Sequence, residues 1–326
     1  IPMKQILFYL LLLFFSISNV EAKDEKIFNL PKSSAKDTIS LLKLPKKIQA
    51  FSVRDFTLSP NKDEIFITLE SNKNTIATIL QFKKIKKKWK MEIAPFSGIY
   101  YDLEAQFSPD GNHLYFVSNR PLHPDSTLKD FDIWQTEKIN GIWQNPTRLS
   151  EVVNTSADEF YPSVSADGTL YFTAQYKHSK GKEDIWKSEK INGNYSTPVS
   201  ISDSINTEKY EFNAFVNKDE NLIVFTSCGR ADDFGGCDLY ISKKDSNGNW
   251  KPAKNIGASI NSTALDYCPF ISADNSLFVF TSNRSKLQKK FSQKLNIDSL
   301  IKEIGQIQNG KGNLYWMNAA DILNEL

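Results

Sequence analysis

Cysteine and histidine are scarce, with 3 of each in 326 residues, which excludes a multi-cysteine metal cluster and a dense disulfide framework. A surplus charge of one sign is also missing. Forty basic residues against 38 acidic ones leave +2, so the chain has no long-range field with which to grip a polyanion such as nucleic acid. No apolar run reaches the ~20 residues that cross a bilayer comfortably. Neither a Gly-x-Ser-x-Gly nucleophile elbow nor a phosphate-binding glycine loop occurs, which removes a serine-hydrolase site of that type and the common nucleotide sites. What the chain does have is aromatic content (22 Phe, 12 Tyr, 6 Trp) and 40% hydrophobic residues, enough to build a core and too much for a disordered chain.

Ile1 and Pro2 read as an upstream remnant. From Met3 the order is one lysine (Lys4), an apolar run from Ile6 to Phe15, and small residues around the Val20-Glu21-Ala22 exit. That order predicts a secretory signal over residues 1–22 and a mature chain in an oxidising, periplasmic or secreted location. No cysteine follows the exit, which argues against lipoprotein processing there. Residues 23–38 read as a linker and 39–326 as a single domain.

Five segments of that domain align on a turn. They are Phe56 to Lys62, Gln106 to Gly111, Ser163 to Gly168, Phe215 to Glu220 and Phe270 to Asn275, with Ser59, Ser108, Ser165, Asn217 and Ser272 at the marker position. An apolar strand follows each turn at once, for example Leu114 to Val117 and Leu170 to Thr173. Next come Asp-Ile-Trp (132–134 and 184–186) or Asp-Leu-Tyr (238–240), and then Asn-Gly at 140–141, 192–193 and 247–248, a strong hairpin signal. A unit of four short strands, repeated every 49 to 57 residues, predicts propeller blades. Unit five lacks a fourth strand, whereas Ile39 to Leu44 stand ahead of unit one without partners. The N-terminal strand is therefore expected to complete the last blade, closing the ring and leaving no open edge.

The Ser-Pro/Ala-Asp-Gly turn, Ser118-Asn119-Arg120, Ser282-Asn283-Arg284, Asp-Ile-Trp and Asn-Gly-x-Trp together resemble the WD-like propeller repeat of TolB-type periplasmic proteins. The resemblance runs from about residue 39 to the end. It implies an all-β extracytoplasmic propeller, typically an interaction scaffold. Five blades are expected here, with six the alternative because TolB itself is usually six-bladed and carries a separate N-terminal domain. Unit one departs from the pattern, with Lys62-Asp63 in place of Asp-Gly and no Asp-Ile-Trp near Thr75 to Ile79.

Strand order places the uniform Asp-Gly turns and Asn-Gly hairpins on one face. The loops between second and third strands fall on the other, and these vary: Pro121 to Asp130, Tyr176 to Glu183, Gly229 to Gly236 and Ser285 to Gly312. Variable loops on a rigid scaffold are where specificity is built. Six residues before the marker stand Asp102, Glu159, Glu211 and Asp266, with Val53 breaking the series, so four carboxylates are expected at one mouth of the central channel. As ligand-binding residues they would hold a glycan or a cation, and two of them could form the acid pair of a glycosidase or lyase. The structural reading has each accept backbone N–H bonds or pair with Arg120, Arg230 or Arg284.

His123, His178 and Asp125 lie in variable loops without the spacing of a metal site, and neither a metal nor a cofactor is expected. Cys228 and Cys237 flank the loop 229–236 and suit a disulfide, with free buried thiols the alternative and Cys268 a competing partner. The lysine run from Lys83 to Lys90 falls where a solvated hairpin of unit one belongs. Leu287, Phe291, Leu295, Leu300, Ile301 and Ile304 recur at helical spacing, which predicts one or two amphipathic helices within 285–312, with Asp298 as N-cap, packed on the variable face. The expected function is a non-catalytic scaffold for an envelope or extracellular protein, or a glycan. Carbohydrate-active catalysis is the alternative. No nucleic acid is expected as partner, and a membrane only transiently, through the signal peptide.

Overall fold

The computed structural model describes residues 30–31, 38–71, 73–123, 127, 129–288 and 290–324. The export segment, most of the linker and Asp125 lie outside these.

The architecture is a five-bladed β-propeller. Blade 1 is built from Ser52–Leu58, Glu64–Glu70, Ala77–Ile85 and Lys88–Ile93, and blade 2 from Asp102–Phe107, His113–Ser118, Asp132–Ile139 and Thr147–Arg148. Blade 3 comprises Glu159–Val164, Leu170–Ala174, Asp184–Ser188 and Val199–Ser200, and blade 4 Tyr210–Val216, Leu222–Cys228, Asp238–Lys243 and Lys254–Asn255. Blade 5 takes Asp266–Ile271, Phe278–Ser282 and Asn313–Met317 from the end of the chain and Ser40–Leu41 from its beginning. Ser40 pairs with Trp316 and Leu41 with Tyr315, and Leu42 N–H adds a bond to Leu314 O at 2.8 Å. The ring is closed by the N-terminal strand, as the missing fourth strand of unit five requires.

One backbone bond recurs between neighbouring blades. In blades 2 to 5 the residue before the third strand offers its carbonyl to the N–H at the start of the next inner strand: Phe131 to Glu159, Glu183 to Glu211, Cys237 to Asp266 and Gly312 to Val53, all at 2.9 Å. The seam between last and first blade is thus tied like the internal ones. A Cβ on Gly312 would stand 2.8 Å from Ser52 Oγ and 3.0 Å from Val53 O, so only glycine lets the backbones approach there.

The core is divided among the blade interfaces. Phe66, Ile79, Phe116, Trp134 and Trp143 pack between blades 1 and 2, and Leu170, Phe172, Trp186, Tyr115 and Ile133 between blades 2 and 3. Leu42, Val53, Phe56, Phe270 and Leu314 fill the closing seam. Second strands are apolar on both faces because each blade has a neighbour on either side.

The marker serine works through its hydroxyl. Ser59, Ser108 and Ser272 Oγ accept the N–H five residues on, at 2.9–3.0 Å, and Asn217 Oδ1 accepts Leu222 N–H in the same way, which is why asparagine can stand at that position. Three residues past the marker every unit has positive φ: Lys62 57°, Gly111 74°, Gly168 90°, Glu220 53° and Asn275 55°. The Asn-Gly hairpins of blades 2 and 3 place both residues at positive φ, whereas in blade 4 only Gly248 does. The lysine run is a hairpin between Ala77–Ile85 and Lys88–Ile93, turning on Lys86 and Lys87. The fourth strands of blades 2 to 4 are only two residues long because Pro146, Pro198 and Pro252 stand just ahead of them and cannot donate to the ladder.

Among its described residues the insertion holds one helix, α1 (Ile297–Ile304), capped by Asn296, whose side chain accepts Ser299 N–H; Asp298 lies inside the first turn and is not the cap. None of its residues is buried, so it does not pack on the propeller as its periodicity led us to expect. A second helix, α2 (Ala319–Leu323), follows the last strand and buries Ala319 and Ile322.

Candidate functional site

Inner strands begin at the variable face and run down the axis, so positions counted from the marker give depth in the channel. Asp102, Glu159, Glu211 and Asp266 sit at the entry, each wholly buried. They do not meet one another. Asp102 accepts Ser97 Oγ and Arg120 Nη2 at 2.8 and 2.7 Å, and Asp266 accepts Ser262 N and Oγ and Arg284 Nη2 at 2.6–2.7 Å. Glu211 holds Thr207 N and Oγ1, Ser227 Oγ and Arg230 Nη2. Glu159 accepts Thr155 N and Oγ1 and Tyr176 OH, with Tyr176 in the place of the arginine. Burial without a cation pushes the Glu159 carboxyl up to about 7, against the hydrogen bonds from Thr155 and Tyr176.

Sequence reasoning missed the rest of this device. Asn154, Asn206 and Asn261, each just ahead of the Thr or Ser named above, clamp the preceding blade at two points. Asn154 Oδ1 accepts Ile133 N–H at 2.8 Å while its Nδ2 donates to Ile133 O at 2.9 Å; Asn206 does the same at Ile185 and Asn261 at Leu239. The recurring Asn-Thr/Ser before Glu159, Glu211 and Asp266 was the available signal. The Asp of each Asp-Ile-Trp or Asp-Leu-Tyr segment anchors its own surroundings: Asp132 grips Arg148 through both oxygens at 2.6 and 2.8 Å, Asp184 takes Lys180 and Gly181 N–H, and Asp238 takes Phe234 N–H.

Two residues further down the axis lies a network drawn from all five blades. Each inner strand carries a β-bulge there, with an extra residue at positive φ: Asp55 60°, Glu104 59°, Tyr161 49°, Asn213 50° and Cys268 52°. A left-handed conformation costs a non-glycine residue about 1–2 kcal/mol, and strain of this kind persists only where the surroundings enforce it. Arg54, next to the first bulge, donates to Asp55 Oδ1 at 2.8 Å and to Glu104 Oε1 at 2.5 Å, and reaches Cys268 Sγ at 3.4 Å. Glu104 also accepts Tyr161 N–H at 2.7 Å and Asn213 Nδ2 at 3.3 Å. Tyr161 OH crosses to Pro269 O at 3.0 Å, and Tyr267 covers the Arg54 guanidinium at 5.1 Å.

One guanidinium therefore faces Asp55, Glu104 and, at 3.7 Å, Glu70. Burial and the Asp55 charge raise the Glu104 carboxyl well above its ordinary range, while Arg54 opposes the rise. Glu70 is raised by burial, and Tyr101 beside it is pushed up to about 12. The network plugs the channel: Asp55 and Cys268 are fully buried and Glu104 nearly so.

Below this plug, on the face of the uniform turns, the axis opens into a hollow of about 120 Å³ walled by Leu58, Phe107, Val164, Phe215 and Phe270, one from each blade. His178 lies in a separate surface hollow with Tyr176 and Trp186, and no group of three His, Cys, Asp or Glu that could hold a metal occurs among the described residues. Cys228 and Cys237 are joined in a disulfide, while Cys268 is a free, buried thiol. No helix among the described residues is long and apolar enough to cross a membrane.

Five repeated blades, the Ser-Asp-Gly turns and the strand-closed ring are together decisive for the fold. It is a closed five-bladed β-propeller. No family model matches the sequence, and no curated protein matches it. Similar solved structures include a putative TolB from Agrobacterium tumefaciens (13% identity, TM-score 0.48, covering 82% of this chain and 90% of that one). TolB from Acinetobacter baumannii also aligns (13%, 0.46, 82% of this chain), and there the match spans only 54% of the other protein. The catalytic domain of a Coprinopsis cinerea GH62 α-L-arabinofuranosidase aligns at 10% identity and TM-score 0.47 over 90% of this chain and 97% of that one.

Proposed function

We propose that this propeller is an exported, non-catalytic scaffold that binds an envelope or extracellular protein, or a glycan, through its variable-loop face. One observation carries the reading: each entry carboxylate is wholly buried and engaged by its own loop, its own blade's arginine or tyrosine, or both. A general acid or nucleophile has to reach a bound sugar, and a pair of carboxyls has to flank it with room between. Here the same groups fix the loops instead, and fixed loops of differing length form a binding surface on a rigid frame. The Cys228–Cys237 disulfide, which braces one of those loops, fits an oxidising compartment, as does the N-terminal export pattern.

The test is to replace the four singly, as Asp102→Asn, Glu159→Gln, Glu211→Gln and Asp266→Asn, and to follow melting and hydrolysis of a panel of glycans. The scaffold reading expects an inactive parent and lowered melting temperatures in the Asp102, Glu211 and Asp266 variants, where a buried or half-buried arginine loses its charge partner. Turnover in the parent that disappears in two variants of unchanged stability would overturn it.

A further inference from the structure

The insertion between the second and third strands of blade 5 is pinned at its base and free at its tip. Lys286 N–H donates to Gln308 O at 2.8 Å, Ser285 and Asn309 form an antiparallel bridge, and Lys311 Nζ reaches Ala50 O at 2.7 Å. Beyond this stalk stands α1. Its apolar residues recur at i, i+3, i+4 and i+7 and form one stripe, yet Ile297, Leu300, Ile301 and Ile304 are 66, 37, 61 and 56% exposed. The helix is tied to the preceding arm through its polar side, where Glu303 Oε1 accepts Gln288 N–H at 3.4 Å. An eight-residue helix is marginal by itself in water, so a stripe of four large aliphatic residues left open calls for a surface to cover it.

Charge indicates which surface. Residues 285–312 contain six lysines against one aspartate and one glutamate, a net of +4, whereas the whole chain carries +2, so the remainder is net negative. Lys286, Lys290, Lys294 and Lys302 are exposed, and none of them forms an ion pair among the described residues. A lysine-rich arm leading into a projecting helix with an Ile/Leu stripe has the composition of an element that lies in the plane of a lipid interface: lysines at the headgroups, aliphatic side chains below them. A projecting, convex helix also suits a fluid surface, which needs no complementary groove.

We propose that α1 and its lysine-rich arm form a contact for an anionic phospholipid surface, holding the propeller against a membrane by its variable face. The inference stands apart from the identity of any protein or glycan partner.

The experiment is amide hydrogen exchange on the full chain, alone and with vesicles of phosphatidylglycerol or of phosphatidylcholine. A local readout is needed because the N-terminal apolar segment could tether the chain to either vesicle. Amides of 297–304 are expected to exchange about tenfold more slowly on phosphatidylglycerol only. The double variant Ile297→Ser/Ile301→Ser should lose that protection with its melting temperature unchanged, since neither residue is buried. Protection that is absent, equal on both vesicles, or concentration-dependent without lipid (a second copy as the occupant) would overturn the proposal.

Discussion

At the scale of single residues, the axis of the ring imposes a rule of its own. Side chains at equivalent positions of a propeller meet only if they point at the axis, and five identical charges could not meet there. Asp55, Glu104, Tyr161, Asn213 and Cys268 accordingly differ from blade to blade and complement one another around Arg54. The entry carboxylates, each facing its own blade, can repeat. Replacing Arg54 with methionine leaves Asp55 and Glu104 buried without their cation and should cost about 3–5 kcal/mol, measurable by urea unfolding. Adding Glu104→Gln to that variant should recover part of the loss, which a double-mutant cycle would quantify. Glu159 offers a pH test. Its carboxyl is raised from 4.5 to about 7 in the folded protein, so the native state holds the proton more tightly than the unfolded chain. The resulting stabilisation is complete below about pH 4 and is lost as pH climbs through 7. Between pH 5 and pH 8 the parent should therefore lose more melting temperature than Glu159→Gln does.

At the scale of elements, turn chemistry explains both the regular hairpins and the irregular one. Lys86 and Lys87 occupy φ of 47° and 68°, the conformation that Asn-Gly adopts in blades 2 and 3. The double replacement Lys86→Asn/Lys87→Gly should stabilise the protein by about 1–2 kcal/mol by removing left-handed strain, seen as a higher melting temperature. The Cys228–Cys237 bridge closes a short loop with a sequence separation of 9, so its reduction should cost about 2–3 kcal/mol and speed exchange in the loop 229–236. Helical periodicity located α1 but could not place it. Spacing shows which residues share a face, whereas only the three-dimensional arrangement shows whether anything covers that face.

At the scale of the whole molecule, closure decides stability. The strand Ser40–Leu41 and the buried Leu42 cover what would otherwise be an open edge on blade 5. A chain shortened to begin at Pro45 should lose about 3 kcal/mol or more and show fast amide exchange in Asn313–Met317, with little change in blade 3. The five blades, the closing strand and the division of loops between two faces were legible in the sequence, because each follows from local rules repeated along the chain: a serine- or asparagine-capped turn and an apolar strand in all five units, and a hairpin signal in three. The axial plug, the asparagine clamps beside the entry carboxylates, and the uncovered stripe of α1 were decided only by tertiary structure. Those features depend on which side chains from distant segments converge in space, and on the axis, where blades must differ in order to fit together, repetition carries no record of the contact.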